Sequence, residues 1–232
     1  ARSVSRKTYP RSRLSTICSL SFVKTNLTTK IKNSMKRLMW AILLLMAVVS
    51  ADAARVIKVL AIGNSFSEDA IEQYLYELAA AQGDSLVIGN AYIGGCSIDR
   101  HWSNAQTGKP EYRYRKIVGG KTATRYHVAL DDIIADDQWD IISLQQASHF
   151  SGLPYTFANL QRLKEHVLCI CPNKQVEIVW HMTWAYAKDS HHHAFRFYHH
   201  DQQLMYNNIC LTMADQLPRV GISRIIPVGM AV

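Results

Sequence analysis

Apolar residues along this 232-residue chain recur with two different periods, and the alternation between those periods predicts the elements. Val56, Ile57, Lys58, Val59, Leu60, Ala61 and Ile62 form a β-branched run that closes on Gly63 and Asn64, the pattern of a buried strand entering a turn. Over 69–82 the residues Ile71, Leu75, Leu78 and Ala79 fall at helical spacing before Gly83, which predicts a helix. A second extended stretch covers 85–88 and 91–93, broken at Gly89 and Asn90 and stopped by Gly94 and Gly95.

The polar segment 99–127, punctuated by Gly108, Pro110, Gly119 and Gly120, reads as an excursion carrying a short hairpin over 112–125. A short helix over 128–137 leads to a third strand at 139–144. A helix over 154–169, a strand at 175–180, a long helix over 194–216 and a strand at 222–228 complete the series. Short apolar strands alternating with amphipathic helices predict an α/β domain: a three-layer sandwich around a mostly parallel central sheet. In such sheets ligands bind beyond the carboxyl ends of the strands, so those ends carry the candidate chemistry.

The formal net charge of +8 would suggest nucleic acid or an anionic membrane as partner, but its distribution removes the suggestion. Residues 1–53 carry ten Lys or Arg against one Asp, whereas residues 54–232 carry sixteen against seventeen Asp or Glu. The excess of charge surrounds a processing signal: Met35, Lys36 and Arg37 precede the apolar run 38–49, and Ser50, Ala51, Asp52 and Ala53 follow it. A basic start, a short apolar stretch and a small-x-small site predict a secretory signal peptide over 35–53. The run is shorter than the roughly 20 residues that span a bilayer. The expected location is therefore secreted or periplasmic, with no stable membrane insertion after cleavage and no nucleic acid partner.

Residues 1–34 read as a disordered leader or a mis-called gene start, with a basic targeting arm as the alternative, and residues 55–232 as one domain. Export makes disulfides permissible for Cys96, Cys169, Cys171 and Cys210. The one-residue spacer between Cys169 and Cys171 is not that of a zinc knuckle or redox motif, and free thiols and two bridges both stay open.

The first strand delivers Gly63, Asn64, Ser65, Phe66 and Ser67. A glycine permits a sharp turn there, and a serine at the helix entry has backbone N–H groups beside it for a developing oxyanion; helix capping by Ser65 or Ser67 is the alternative. The second strand delivers Gly94, Gly95, Cys96 and Ser97, and the third Gln145, Gln146, Ala147, Ser148 and His149. Trp180, His181, Met182, Thr183, Trp184, Ala185 and Tyr186 end the fourth strand, with aromatic rings suited either to stacking on a sugar or to core packing.

Together the run from Val59 to Ser67, the Gly94 and Gly95 pair, and Leu144, Gln145 and Gln146 resemble the first three blocks of the SGNH/GDSL hydrolase superfamily. They are most similar to a secreted bacterial branch described as a domain of unknown function, over most of residues 56–232. The resemblance implies a flavodoxin-like fold and Ser65 as nucleophile. It also implies an oxyanion hole formed by the N–H groups of Ser65 and Gly95 and an amide side chain. The superfamily places Asn in the third role; here Gln145 is the candidate and Gln146 the alternative.

The superfamily also supplies a base from a D-x-x-H motif after the last strand, and the expectation is that this motif lies beyond residue 232, the domain being truncated at its C-terminal end. One such string, Asp189, Ser190, His191 and His192, follows the fourth strand instead. Its neighbours His193, His199, His200 and Asp201 make a metal site a further alternative, but no recognised ligand spacing is present and no metal or other cofactor is expected. His149, His181, Trp184 and His192 are the candidate substrate-binding residues. The expected activity is a serine esterase that deacylates, and specifically deacetylates, a carbohydrate or another acylated small molecule; a catalytically silent carbohydrate-binding protein on the same fold is the alternative.

Overall fold

The computed structural model describes residues 56–231 together with 32, 34–36 and 38–39. The chain divides into two units, residues 1–53 and 54–232; the described residues of the first are helical. Most of the expected signal peptide lies outside the described residues. No helix among the described residues is long and apolar enough to cross a membrane.

Seven strands build the sheet of the second unit: β1 (Val56–Gly63), β2 (Ser85–Tyr92), β3 (Tyr112–Val118), β4 (Lys121–Val128), β5 (Ile141–Leu144), β6 (Glu177–His181) and β7 (Ile225–Ile226). Their order is β4-β3-β2-β1-β5-β6-β7. The five strands from β2 to β7 in that order are parallel, and β3 and β4 form the predicted hairpin, antiparallel, on the outer side of β2. The parallel part follows the flavodoxin-like order, in which the chain leaves β1 to one side for β2 and returns on its other side as β5. A crevice therefore opens at the carboxyl ends of β1 and β5.

Alternation along β1 assigns the two faces. Leu60 and Ile62 join Trp139, Ile142, Leu144 and Trp180 in the larger core, under α3 (Ile98–Thr107), α4 (Leu130–Ile134), α5 (Leu160–Ile170) and α6 (Gln202–Arg219). Ala61 turns to the opposite face and packs with Ile71, Ile88 and Ile117, under α1 (Ser65–Ser67), the wide π turn Glu68–Glu72 that continues it, and α2 (Leu75–Ala81). A short α7 (Val228–Ala231) follows β7.

Four elements differ from their sequence expectation. The break expected at Gly89 and Asn90 is absent, because β2 runs unbroken through both. A Cβ on Gly89 would lie 2.7 Å from Trp139 Cη2, so the glycine serves the approach of the indole rather than a turn. The single helix expected over 69–82 is divided at Gln73 and Tyr74, since the π turn holds Glu68 and Glu72 against arginines of β3. The helix expected over 194–216 is divided into a 3-10 segment, His193–Tyr198, and α6. His199 and His200 stand between them with φ of 54° and 58°, and Asp201 restarts the helix by accepting the N–H of Leu204 at 2.9 Å. The last strand is only two residues long.

All four cysteines of this unit are free thiols. Burial pushes the Cys96 thiol up to about 12, so it behaves as a small core residue.

His101 on α3 is fully buried and its Nδ1 lies 2.9 Å from the Tyr112 hydroxyl. Burial lowers its pKa to about 3, and burial alone lowers that of His181 to about 4. Both rings are neutral in the folded state while the unfolded chain protonates below about 6.5. The unfolded state thus binds more protons between those values, and stability falls as pH drops through that window. Asp137, held at about 2 mainly by Lys116 and Lys58 against the cost of burial, loses its contribution only below the ordinary carboxylate range. Urea unfolding at pH 7 and pH 4.8 is expected to differ by about 4 kcal/mol in favour of pH 7, and equal values would contradict two buried neutral imidazoles.

Candidate active site

Ser65 opens α1 directly beyond β1 and is exposed, while Asn64, Phe66 and Ser67 on either side of it are buried. The local cause is a tight strand-to-helix turn. Gly63 is closed in by Gln145 Cδ, Gln145 Oε1 and Ser67 Oγ, at 2.6, 2.7 and 2.8 Å from where a Cβ would sit, so no larger residue fits. Asn64, extended at the N-cap, accepts the N–H of Phe66 on its Oδ1 at 3.2 Å. Ser65 Oγ makes no hydrogen bond among the described residues, and neither does the backbone N–H of Ser65.

The Asn64 side chain draws the neighbouring loops to this turn. Its Nδ2 donates to the carbonyl of Cys96 at 3.0 Å and reaches that of Gln146 at 3.4 Å, while its Oδ1 also accepts from Gln145 Nε2 at 2.6 Å. One buried amide thus joins the loops after β1, β2 and β5. The loop after β2 is further fixed by the N–H of Ile93 on the carbonyl of Gly63 and contains Gly95 in the left-handed region, φ 61°. Nothing stands within 4 Å of the Cβ position of Gly95, and its N–H is unpaired among the described residues. Two unpaired N–H groups at adjoining strand ends, beside an exposed serine, suit stabilisation of an acyl oxyanion.

The other candidates occupy distinct positions. Gln145 is buried and bonded to Asn64 through Nε2, with its Oε1 unpartnered; it lies behind the turn rather than open beside Ser65. Gln146 is unsuited to the role of alternative donor. Its Nε2 binds the carbonyl and hydroxyl of Thr156, and its Oε1 accepts the N–H groups of Ile98 and Ala147, so the whole amide holds the two loops together. His181 is buried with Nε2 unpartnered, one residue beyond Trp180, the register partner of Leu144 on β5. His149 is half-buried against Phe150, its pKa lowered by burial and then by His192 and His193.

His192 is exposed, and its Nδ1 accepts the N–H of Ala194 at 3.2 Å. That leaves no Nδ1–H for Asp189 to orient, so the D-x-x-H string after β6 does not form an Asp-His pair in this structure. Among the described residues no group of three His, Cys, Asp or Glu converges as a metal site.

The aromatic alternatives separate cleanly. Trp180 is core, packed on Phe157. Trp184 is half-buried, meets Phe66 edge-on with ring centroids 4.0 Å apart, and lines a cavity of about 810 Å³ with Lys188, His199, His200, Tyr206 and Met230. Phe66 adjoins Ser65, so this cavity begins one ring away from the Ser65 turn.

Residues 58–232 match the model of a domain of unknown function, DUF4886. The chain belongs to the DUF4886 family. Among solved structures it is similar to a DUF4886 family protein from Bacteroides uniformis ATCC 8492, with 42% identity and a TM-score of 0.74 over 76% of this chain and 69% of that one. At much lower similarity stand a proposed SGNH hydrolase from Slackia heliotrinireducens, 14% identical with a TM-score of 0.47 over 76% and 82% of the two chains, and a family 3 carbohydrate esterase from Clostridium thermocellum, 13% identical with a TM-score of 0.44 over 74% and 77%. A search of functionally curated proteins finds no match. The family agrees with the branch that the motif blocks resemble.

In this DUF4886 domain the residue with most influence on the site, Asn64, was visible in the sequence only as part of a turn. A short polar residue before a helix start is a capping signal, but its three further partners come from two loops, 32 and 81 to 82 residues away. Asn64→Ala removes the cap and strands the Cys96 carbonyl and the Gln145 amide, and is expected to lower stability by about 3 kcal/mol in urea unfolding. A loss below about 1 kcal/mol would mean that the loops hold their positions without it.

Proposed function

We propose that this DUF4886 domain is an exported serine esterase that removes acyl groups, acetyl in particular, from carbohydrate. The observation that carries the reading is Ser65: exposed at a strand-to-helix turn, with the unpaired N–H groups of Ser65 and Gly95 available for an oxyanion. In the proposed reaction a general base takes the Ser65 proton as Oγ bonds to the acyl carbon. The tetrahedral oxyanion lies on those N–H groups, and the ester C–O bond breaks as the sugar oxygen takes the proton. Water, deprotonated by the same base, then releases the acid and restores Ser65. The reading takes the base from residues outside those described, and neither metal nor organic cofactor enters it. Export rests on the basic start, apolar run and small-x-small site over 35–53.

The cavity beside Trp184 supports a sugar as the leaving group, since an indole face beside polar side chains suits a pyranose ring. A catalytically silent carbohydrate-binding role is the second reading, favoured by the absence of any hydrogen-bond partner for Ser65 Oγ among the described residues.

Hydrolysis of a small acetyl ester by the full-length protein, compared with Ser65→Ala, tests the first reading. A fall of about 10³-fold or more in kcat is expected, with unchanged thermal stability; equal rates in the two proteins would remove Ser65 from the mechanism, and no hydrolysis by either folded protein would favour the binding role. Trp184→Ala is expected to raise KM about tenfold for an acetylated oligosaccharide, an effect of about 1.4 kcal/mol, and to leave that for the small ester nearly unchanged. Equal effects on both substrates would place Trp184 outside the sugar site.

A further inference from the structure

Behind the nucleophile turn lies a buried carboxylate that the esterase chemistry does not use. Glu72, in the π turn, has a side chain only 3% exposed. Its Oε2 accepts from Arg115 Nη1, its Oε1 accepts from Asn90 Nδ2 at 2.6 Å, and Arg113 Nη2 stands 3.6 Å from Oε1. Arg113 also pairs with Glu68 at 2.6 Å and lies over the Tyr92 ring at 4.0 Å. Asn90 is fully buried in the middle of β2, opposite Ala61 of β1 and Arg115 of β3. Its Oδ1 is 3.0 Å from Ser67 Oγ, whose single proton is shared between it and the carbonyl of Asn64 at 2.7 Å.

These contacts form one continuous chain from the outer hairpin to the residue that precedes the nucleophile: Arg115, Glu72, Asn90, Ser67, Asn64. Its direction is determined by charge. Glu72 Oε1 is an acceptor, so the Asn90 amide must turn its Nδ2 towards it, and Oδ1 is then presented to the Ser67 hydroxyl. A carboxylate and an amide buried between sheet and helix are costly unless fully paired, and apolar residues of similar volume would pack there at no electrostatic cost. The polar chain has a geometric product that apolar packing would lack, a defined position of the Asn64 carbonyl and hence of Ser65 relative to the Gly95 loop.

We propose that Glu72 and Asn90 are positioning residues for Ser65, acting through Ser67; the proposal rests on the serine-hydrolase reading above. A displacement of about 1 Å at a reacting group costs on the order of 100-fold in rate, whereas substrate held in the cavity beside Trp184 feels no such change. Loss of the chain therefore lowers the rate of reaction at Ser65 and leaves reversible binding alone.

The test measures the rate at which a fluorophosphonate phosphonylates Ser65 in the full-length protein. The saturable binding step is resolved from the covalent step, and folding is followed by circular dichroism and thermal unfolding. Glu72→Gln and Ser67→Ala are each expected to slow the covalent step by about 10- to 100-fold with the binding constant changed less than about twofold. The reversed pair Glu72→Gln with Asn90→Asp retains one negative charge, reverses the polarity of the hydrogen bond between positions 72 and 90 and keeps an acceptor for the Ser67 hydroxyl, and is expected to recover most of the wild-type rate. A merely structural role would give no such recovery.

Should Glu72→Gln fail to fold, Ser67→Ala, which leaves the pairing of Glu72 with the arginines intact, decides alone. Folded single variants that label at the wild-type rate overturn the proposal, as does a reversed pair as slow as Glu72→Gln. Wild-type protein that takes no label at Ser65 overturns the serine-hydrolase reading and this role with it.

Discussion

Three loops from three strands meet at this site because one buried amide satisfies all of them. The Asn64 side chain caps α1, supports the loop after β2 through the Cys96 carbonyl, and binds both glutamines that follow β5. An amide has two donor hydrogens and an acceptor oxygen with two lone pairs, and here each has a partner. A group of this kind excludes alternatives strongly, since any displaced loop would leave a buried polar atom unpaired at a cost of about 1 to 3 kcal/mol. Ser65, next in the chain, inherits that precision without a side-chain bond of its own.

The topology explains why such a knot forms at this place. With β2 and β5 on either side of β1, the segments that follow all three emerge at the same edge, and successive parallel strands in register bring Gly63, Tyr92 and Gln145 level with one another. The lack of a side chain at Gly63 lets Gln145 fold over the end of β1. On the same face, α1 lies across β1 and β2, with the π turn reaching the arginines of β3. The hairpin that interrupts the α/β alternation thus has a structural purpose: it extends the sheet by two strands and carries the cations that a buried Glu72 requires.

Periodicity made most of the architecture legible. The β-branched runs at β1, β5 and β6, the amphipathic α5 and the hairpin of β3 and β4 were all visible, because each depends on which residues within a short window are apolar. Errors fell where a long-range contact overrode a local rule. Gly89 and Asn90 read as a break, yet the first makes room for Trp139 and the second binds Glu72. His199 and His200 carry no breaking signal and still leave helical geometry, ahead of a capping Asp201. Of the candidate site, Ser65 and Gly95 were legible as candidates, while the partners of Asn64, Ser67, Glu72 and Asn90 were not, since a polar residue in a turn or strand does not name its partner.

By itself, the order of residues determined the fold class, the strand-to-helix turn at Ser65 and the family, because these depend on short-range pattern and on motif blocks that survive without coordinates. The tertiary structure alone decided which amide serves which loop. Gln145 and Gln146 are chemically identical neighbours on a strand end, and opposite sides of the pleat send one to Asn64 and the other to Thr156 and Ile98. The same holds for Trp180 and Trp184, one closed into the core and the other left beside a cavity. Burial and partnership are properties of what surrounds a side chain, and for these residues the surroundings come from segments far away along the chain.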